Sequence, residues 1–263
     1  MNVLKLELNR AFVNRNMLIS LFIGIILSLA DIFLFSKYYL SQDMVLVQAW
    51  IGTNYFFVYN SIFFALLPIL ACLPFGGSLF NDIESGYDKN ICIKVSRMDY
   101  ISSKCIATFL SGFFAVSVPL LLDLFIVAGL FPNKQPELLC FMVGGATLDC
   151  NLFSEVFAYN ASLYCLVYIL TDGLFAGAIA LISLAVTKLS GSFFTVVVVP
   201  FVLYIFQGLV MIGDSNGNWS VLGMINPTQQ VVTRWYQMLI AYCVILIGSL
   251  MYQILYNRKR DIL

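Results

Sequence analysis

The sequence predicts an all-α polytopic membrane protein. Six transmembrane helices follow an N-terminal interfacial helix, and a short surface helix lies between spans two and three, all within one transmembrane domain over residues 1–263. Three observations lead there. Hydrophobic residues make up 61% of the chain and charged ones 11%, whereas a soluble domain is about half apolar and about a quarter charged, so one globular core could not hide this much apolar surface. The charges leave six long gaps, each close to the roughly 20 residues that a helix needs to cross a bilayer with its backbone polar groups satisfied. Finally, eleven of the 14 Lys and Arg fall in the termini and alternate connections, against three on the opposite side.

Taken in order, the first sixteen residues place Leu4, Leu8, Ala11 and Phe12 on one side of a helical wheel and Lys5, Asn9 and Arg10 elsewhere, the pattern of a helix lying along a membrane interface. Span one covers about 17–35 and holds Asp31; its basic flank and Ser28-Leu29-Ala30 resemble a signal peptide, but it is read as a retained span. Span two, about 56–79, is uncharged and contains Pro68, Pro74 and Gly76-Gly77. In the connection that follows, Gly86 suits a left-handed helix end, residues 87–95 suit a short helix with Ile91, Cys92 and Val95 on one face, and Ser96 to Asp99 has capping-box spacing. Span three, about 105–131, holds Asp123 and Pro119, and span four, about 163–186, holds Asp172 and the close-packing pattern Gly173-x-x-x-Gly177. Between them, 132–162 is rich in Pro and Gly and then apolar, which suggests short interfacial helices. Span five, about 193–213, contains Pro200, and span six covers about 236–256; residues 214–235, with Asn226-Pro227, suit a re-entrant or gate-like hairpin.

Lys5, Arg10, Arg15, Lys89, Lys94, Arg97, Lys104, Lys188, Arg258, Lys259 and Arg260 fall on one side, and Lys37, Lys134 and Arg234 on the other. The excess of bases marks the cytoplasmic side, so both termini are expected there, in a multi-pass protein of the cell membrane. Tyr38, Tyr39, Trp50, Tyr55 and Trp235 cluster near the predicted outer boundary, where amphipathic rings favour the headgroup layer.

Much chemistry is excluded. With no histidine, the chain cannot form a Ser-His dyad or a zincin site. The seven cysteines include no Cys-x-x-Cys pair, so no metal site is expected; Cys140 and Cys150 share one external connection, as a disulfide or as two thiols. A net charge of zero offers nothing to nucleic acid. No Gly-x-x-x-x-Gly-Lys-Ser/Thr loop occurs, so no catalytic site or cofactor is expected in this chain, and an ATP-driven pump would need its ATPase elsewhere. The intramembrane carboxylates Asp31, Asp123 and Asp172 each cost about 2.5–3.5 kcal/mol at a helix centre and need partners. Asp172 falls near the midplane and the other two in the outer third. Hydrogen bonds to neighbouring spans or a wet cavity are expected; alternatively Asp172 titrates in a proton-coupled carrier.

The run Pro74, Phe75-Gly76, Asp82, Glu84, Ser85-Gly86-Tyr87, Ser96-Arg97, Tyr100 and Lys104 resembles the permease subunits of type-2 ATP-binding-cassette (ABC) exporters. The span count, the cytoplasmic termini, the basic N-terminal helix and Asn226-Pro227 before span six are also similar to that family. The resemblance implies that residues 87–95 form a coupling helix, with Asp82, Glu84, Gly86, Tyr87, Ile91, Val95, Ser96, Arg97, Tyr100 and Lys104 coupling the permease to a cytoplasmic ATP-binding subunit that holds ATP and Mg. It also implies a second permease copy or a related one, a path bordered by spans one, two and five, and amphipathic or hydrophobic cargo such as a peptide, drug or lipid-like molecule. The intramembrane carboxylates have no assigned role in the family. Two rivals stand beside this reading: a proton-coupled carrier, whose transport would depend on Asp172 and need no ATPase, and a membrane immunity or interaction protein, which would bind a partner without flux.

Overall fold

The structure, a computed structural model, describes residues 3–41, 44–53, 58–134, 152–189, 191–211, 219–228 and 232–260. Among these there is no strand. The helices are α1 (Val3–Phe12), α2 (Arg15–Ser41), α3 (Leu46–Ala49), α4 (Val58–Cys72), α5 (Ser78–Glu84), α6 (Tyr87–Cys92), α7 (Arg97–Leu130), α8 (Ser154–Tyr159), α9 (Ala161–Val186), α10 (Phe193–Met211), α11 (Val221–Ile225) and α12 (Trp235–Arg260). Five of them, α2, α7, α9, α10 and α12, are long and apolar enough to cross a membrane, and the chain reads as a multi-pass membrane protein.

The sequence expected six such helices, and the difference lies in the second. Its predicted window, 56–79, does not run through as one helix: α4 stops at Cys72, residues 73–77 turn, and α5 starts at Ser78. Pro74 explains the break, because its ring disfavours helical geometry at Leu73 and it lacks an N–H to continue the ladder. Pro68, Pro119 and Pro200, by contrast, stay inside α4, α7 and α10, so Pro74 is the one that ends a helix.

Polar side chains set several of the other helix ends. Asn14 accepts from Met17 N (2.7 Å) to start α2 and donates to Arg10 O and Ala11 O (2.8 Å each) to close α1; the same amide reaches Pro74 O at 3.2 Å. Ser96 accepts from Asp99 N at 3.1 Å to start α7, as its spacing predicted. Asn160 caps α9 and Ser220 caps α11.

The hub is α9, which packs against α7, α12, α4 and α10. Of its apolar window 67% is buried, against 28% for α2 and α10 and 17% for α12, so those three present most of their surface to surrounding lipid. Glycines bring α7 and α9 together, as the Gly173/Gly177 spacing suggested. A Cβ at Gly177 would stand 2.8 Å from Phe109 O, and one at Gly173 would clash with Ser117 and Phe113. Gly112 on the facing helix is similarly enclosed by Ala180, Ala71 O and Ala176 O. By length, α7 spans about 51 Å at ~1.5 Å per residue, more than a ~30 Å hydrocarbon core, and its first turns carry the charges Arg97, Asp99 and Lys104.

The aromatic expectations divide. Tyr38 and Trp235 are exposed as anchors should be, but Tyr39 and Trp50 are fully buried, so these two do not anchor the chain at the headgroups. Trp50 belongs to an inward-folded segment, 44–53, that packs against α7 and α9 and donates its indole N–H to Leu120 O at 3.4 Å. Tyr55, and the Cys140/Cys150 pair, lie outside the described residues.

Candidate functional site

The start of α7 carries Tyr100 and Lys104 one turn apart, on the face that meets α1 and reaches Asp82 of α5. Asp82 of α5, 2% exposed, is the centre of a polar cluster there. It accepts from Arg10 through both guanidinium nitrogens (Nη2 2.6 Å, Nη1 3.2 Å), from the Tyr100 hydroxyl at 2.5 Å and from Lys104 Nζ. Glu7 of α1, fully buried, completes the cluster, pairing with Arg10 at 2.9 Å and with Lys104 at 3.3 Å. The Arg10 guanidinium also lies 4.8 Å over the Tyr87 ring of α6, and Lys104 Nζ lies 5.2 Å over Phe75.

Two buried carboxylates are thus balanced by the buried Lys104 and the half-buried Arg10, the condition under which buried charges are tolerated. Burial pushes the Asp82 carboxyl up, but the hydrogen bond from Arg10 and the charge of Lys104 outweigh it and hold the group below its ordinary 3.8. The stability it contributes is therefore complete above pH 3.8 and is lost only as pH falls from there towards the depressed folded value. Burial pushes the Arg10 guanidinium down; Asp82 and Glu7 more than compensate and raise it.

The sequence singled out Asp82, Tyr100 and Lys104 but not Glu7 or Arg10 as their partners. The apolar side of α1 was expected at Leu4, Leu8, Ala11 and Phe12; the fully buried stripe is Val3, Glu7 and Ala11, with Leu4, Leu8 and Phe12 partly buried beside it. The stripe centres on Glu7 because Lys104 and Arg10 neutralise it there. The signal was present as the i, i+4, i+8 spacing of Val3, Glu7 and Ala11.

Around this cluster, Gly86 adopts φ 72°, the left-handed conformation its position predicted. The short helix ends at Cys92 rather than Val95. Ile91 is buried and Val95 and Cys92 partly so; together with Tyr87 they pack on Val3, Leu79, Tyr100 and Ile101. Glu84 is exposed, and Arg97 is half-buried. The outward rim is Ile83, Glu84, Lys89, Ile93, Lys94, Met98 and Asp99, with Ile93 82% exposed. Asp82, Tyr100, Lys104 and Ile91 therefore hold the α5–α6 segment to the bundle, while the rim mixes charges with exposed apolar side chains.

At the opposite end, Asp31 accepts from Tyr39 Oη at 2.8 Å and Asp123 accepts from Ile51 N at 2.9 Å. Asn60 donates to Ile51 O and Gly52 O (2.8 Å each) and accepts from Asn226 Nδ2 at 2.9 Å. The Asp123 and Asn60 bonds tie segment 44–53 to α7 and α4, and Asn226 links the end of α11 to Asn60, whereas the Asp31–Tyr39 bond stays within α2. Asp123→Ala is expected to cost about 1–3 kcal/mol, the penalty of a buried N–H left without its acceptor. Acrylamide should then quench Trp50 faster, while Asp123→Asn, which keeps an acceptor, should melt close to the parent. Asp172 departs from the expectation: fully buried, it has no hydrogen bond to either carboxylate oxygen.

Compared with protein-family models, curated proteins and solved structures, the chain matches none. Among the described residues no group of three or more Cys, Asp or Glu could hold a metal ion.

Proposed function

We propose that the chain is the membrane-spanning permease subunit of an ATP-driven ABC exporter, working with a separate cytoplasmic ATPase. The observation that carries this reading is the buried Glu7–Arg10–Asp82–Lys104 cluster. It joins α1, α5 and α7 beneath a surface segment whose rim is exposed, charged and apolar. A segment that receives force from a soluble partner needs a mixed docking face outside and a stiff connection to the spans inside. Residues 83–98 have both.

In this reading α4 and the 73–77 turn serve as the second of six spans, α1 lies along the inner interface, and both termini are cytoplasmic, in keeping with the bases around the cluster end. The cell membrane would hold two permease copies, identical or related. The helices assigned to the path, α2, α4 and α10, adjoin one another through α4, and the faces of α2 and α10 are apolar and exposed, which suits an amphipathic or hydrophobic cargo. ATP-driven closure of the ATPase pair, which would hold the ATP and Mg, pushes on residues 83–98. The cluster passes the tilt to α1 and α7 as one body, switching access between sides.

Two experiments test the docking face. A photocrosslinker at Ile93 should capture a nucleotide-binding protein in the native membrane, and capture of none would count against the reading. Glu84→Lys combined with Arg97→Glu should weaken association at least about tenfold, on the order of the 1.4 kcal/mol that separates tenfold affinities, while membrane insertion is unchanged. Undiminished association and coupling would contradict the assignment.

A further inference from the structure

Asp172 sits at mid-height of α9, 0% exposed, with no hydrogen bond to either oxygen. A buried carboxylate without a counter-charge is expensive and marks a functional position inside a membrane. Seven residues further along α9, and therefore on the same helix face, Ile179 forms one wall of an apolar cleft of about 330 Å³. Leu203 and Tyr204 of α10 form the facing wall, and Ile245 of α12 closes one side. Tyr204 lines the cleft and its hydroxyl donates to Phe64 O at 3.0 Å; Asp172 lies beyond the cleft's lining, about 10 Å along α9 from Ile179 at ~1.5 Å per residue. Gln207, the polar residue of the cleft wall, already spends its amide on Trp219 O and Val221 N.

We propose that this cleft binds a lipophilic primary ammonium ion, its apolar body between α9, α10 and α12 and its charged head drawn along α9 to Asp172. The chemistry is complementary on both counts. An ammonium brings three donors and a positive charge to two bare carboxylate oxygens, and the apolar walls take the rest of the molecule. A neutral or anionic amphiphile would leave the carboxylate without its counter-charge. As a statement about cargo, that it is cationic, this rests on the exporter reading; the binding itself needs no ATPase.

The test uses the purified full chain in phosphatidylcholine nanodiscs, which carry no net surface charge. The fluorescent probe 6-(1-naphthyl)hexylamine is compared with 6-(1-naphthyl)hexanol, and empty discs are subtracted. The amine should bind at least tenfold more tightly than the alcohol, Asp172→Asn should bring the two within twofold, and Leu203→Trp, which fills the cleft and keeps Asp172, should weaken the amine at least tenfold. Equal binding of amine and alcohol to the parent would overturn the proposal. So would a preference for the amine that survives in Asp172→Asn. If Asp172→Asn does not fold, Leu203→Trp decides, and undiminished amine binding there overturns the site. Binding of the amine by a chain that copurifies with no ATPase would leave this site standing and remove the exporter reading alone.

Discussion

Asp82→Ala should release the N-terminal helix. It removes the acid on which Arg10, Tyr100 and Lys104 converge and leaves the buried Lys104 and the half-buried Arg10 facing Glu7 alone. Breaking a buried charge set by removing one partner typically costs about 3–5 kcal/mol, enough to lower the melting temperature in detergent substantially. Amide hydrogen exchange should show the loss locally, with residues 3–12 losing protection before α9 does. Asp82→Asn combined with Lys104→Met removes one charge of each sign and leaves Glu7 paired with Arg10, so it should cost less than Asp82→Ala alone. If Asp82→Ala melts with the parent and keeps α1 protected, the cluster does not hold this end together.

Gly112→Leu should be nearly as damaging, through packing instead of charge. A Cβ at Gly112 already stands 2.8 Å from Ala180 Cβ and 3.1 Å from Ala71 O, and Ala176 O is 3.2 Å away. Two of these neighbours are backbone atoms that cannot rotate aside, so α4, α7 and α9 would have to separate. Overpacking of this kind costs about 1–3 kcal/mol, occasionally more, and here it strikes the hub of the bundle. Gly129→Ala on the same helix, where a Cβ meets nothing within 4 Å, should leave melting nearly unchanged. Equal melting of the two variants would mean that the α7–α9 approach is not close.

These residues also show what was legible in the sequence. Lipid imposes long uncharged runs, so windows one, three, four, five and six could be read from the gaps between charges and each became a long helix. The second window holds the apolar helix α4, but hydropathy does not register that Pro74 ends it short of residue 79. Gly86, Ser96 and Gly173/Gly177 were readable because each does local work, a left-handed turn, a cap or a close approach, that few other residues can do. Glu7 was not, because one acid within an amphipathic helix looks like a solvated position until its partners, 97 residues away at Lys104, are in place. Trp50 and Tyr39 were misplaced for a related reason: an aromatic near a membrane boundary reads as an anchor unless a folded-in loop such as 44–53 covers it. That Asp172 lies within a long apolar helix was readable, whereas its burial without a hydrogen bond depends on how α9 packs against its neighbours.

The most direct measurement is a gentle detergent purification of the tagged chain from its native membrane, with identification of copurified proteins and an assay of ATP hydrolysis. A stoichiometric ATP-binding subunit with vanadate-sensitive activity, diminished by Glu84→Lys combined with Arg97→Glu, is the expected result. A chain that purifies without such a subunit, yet moves solute into liposomes under a proton gradient, would contradict the exporter reading and make Asp172 the titrating group of a carrier.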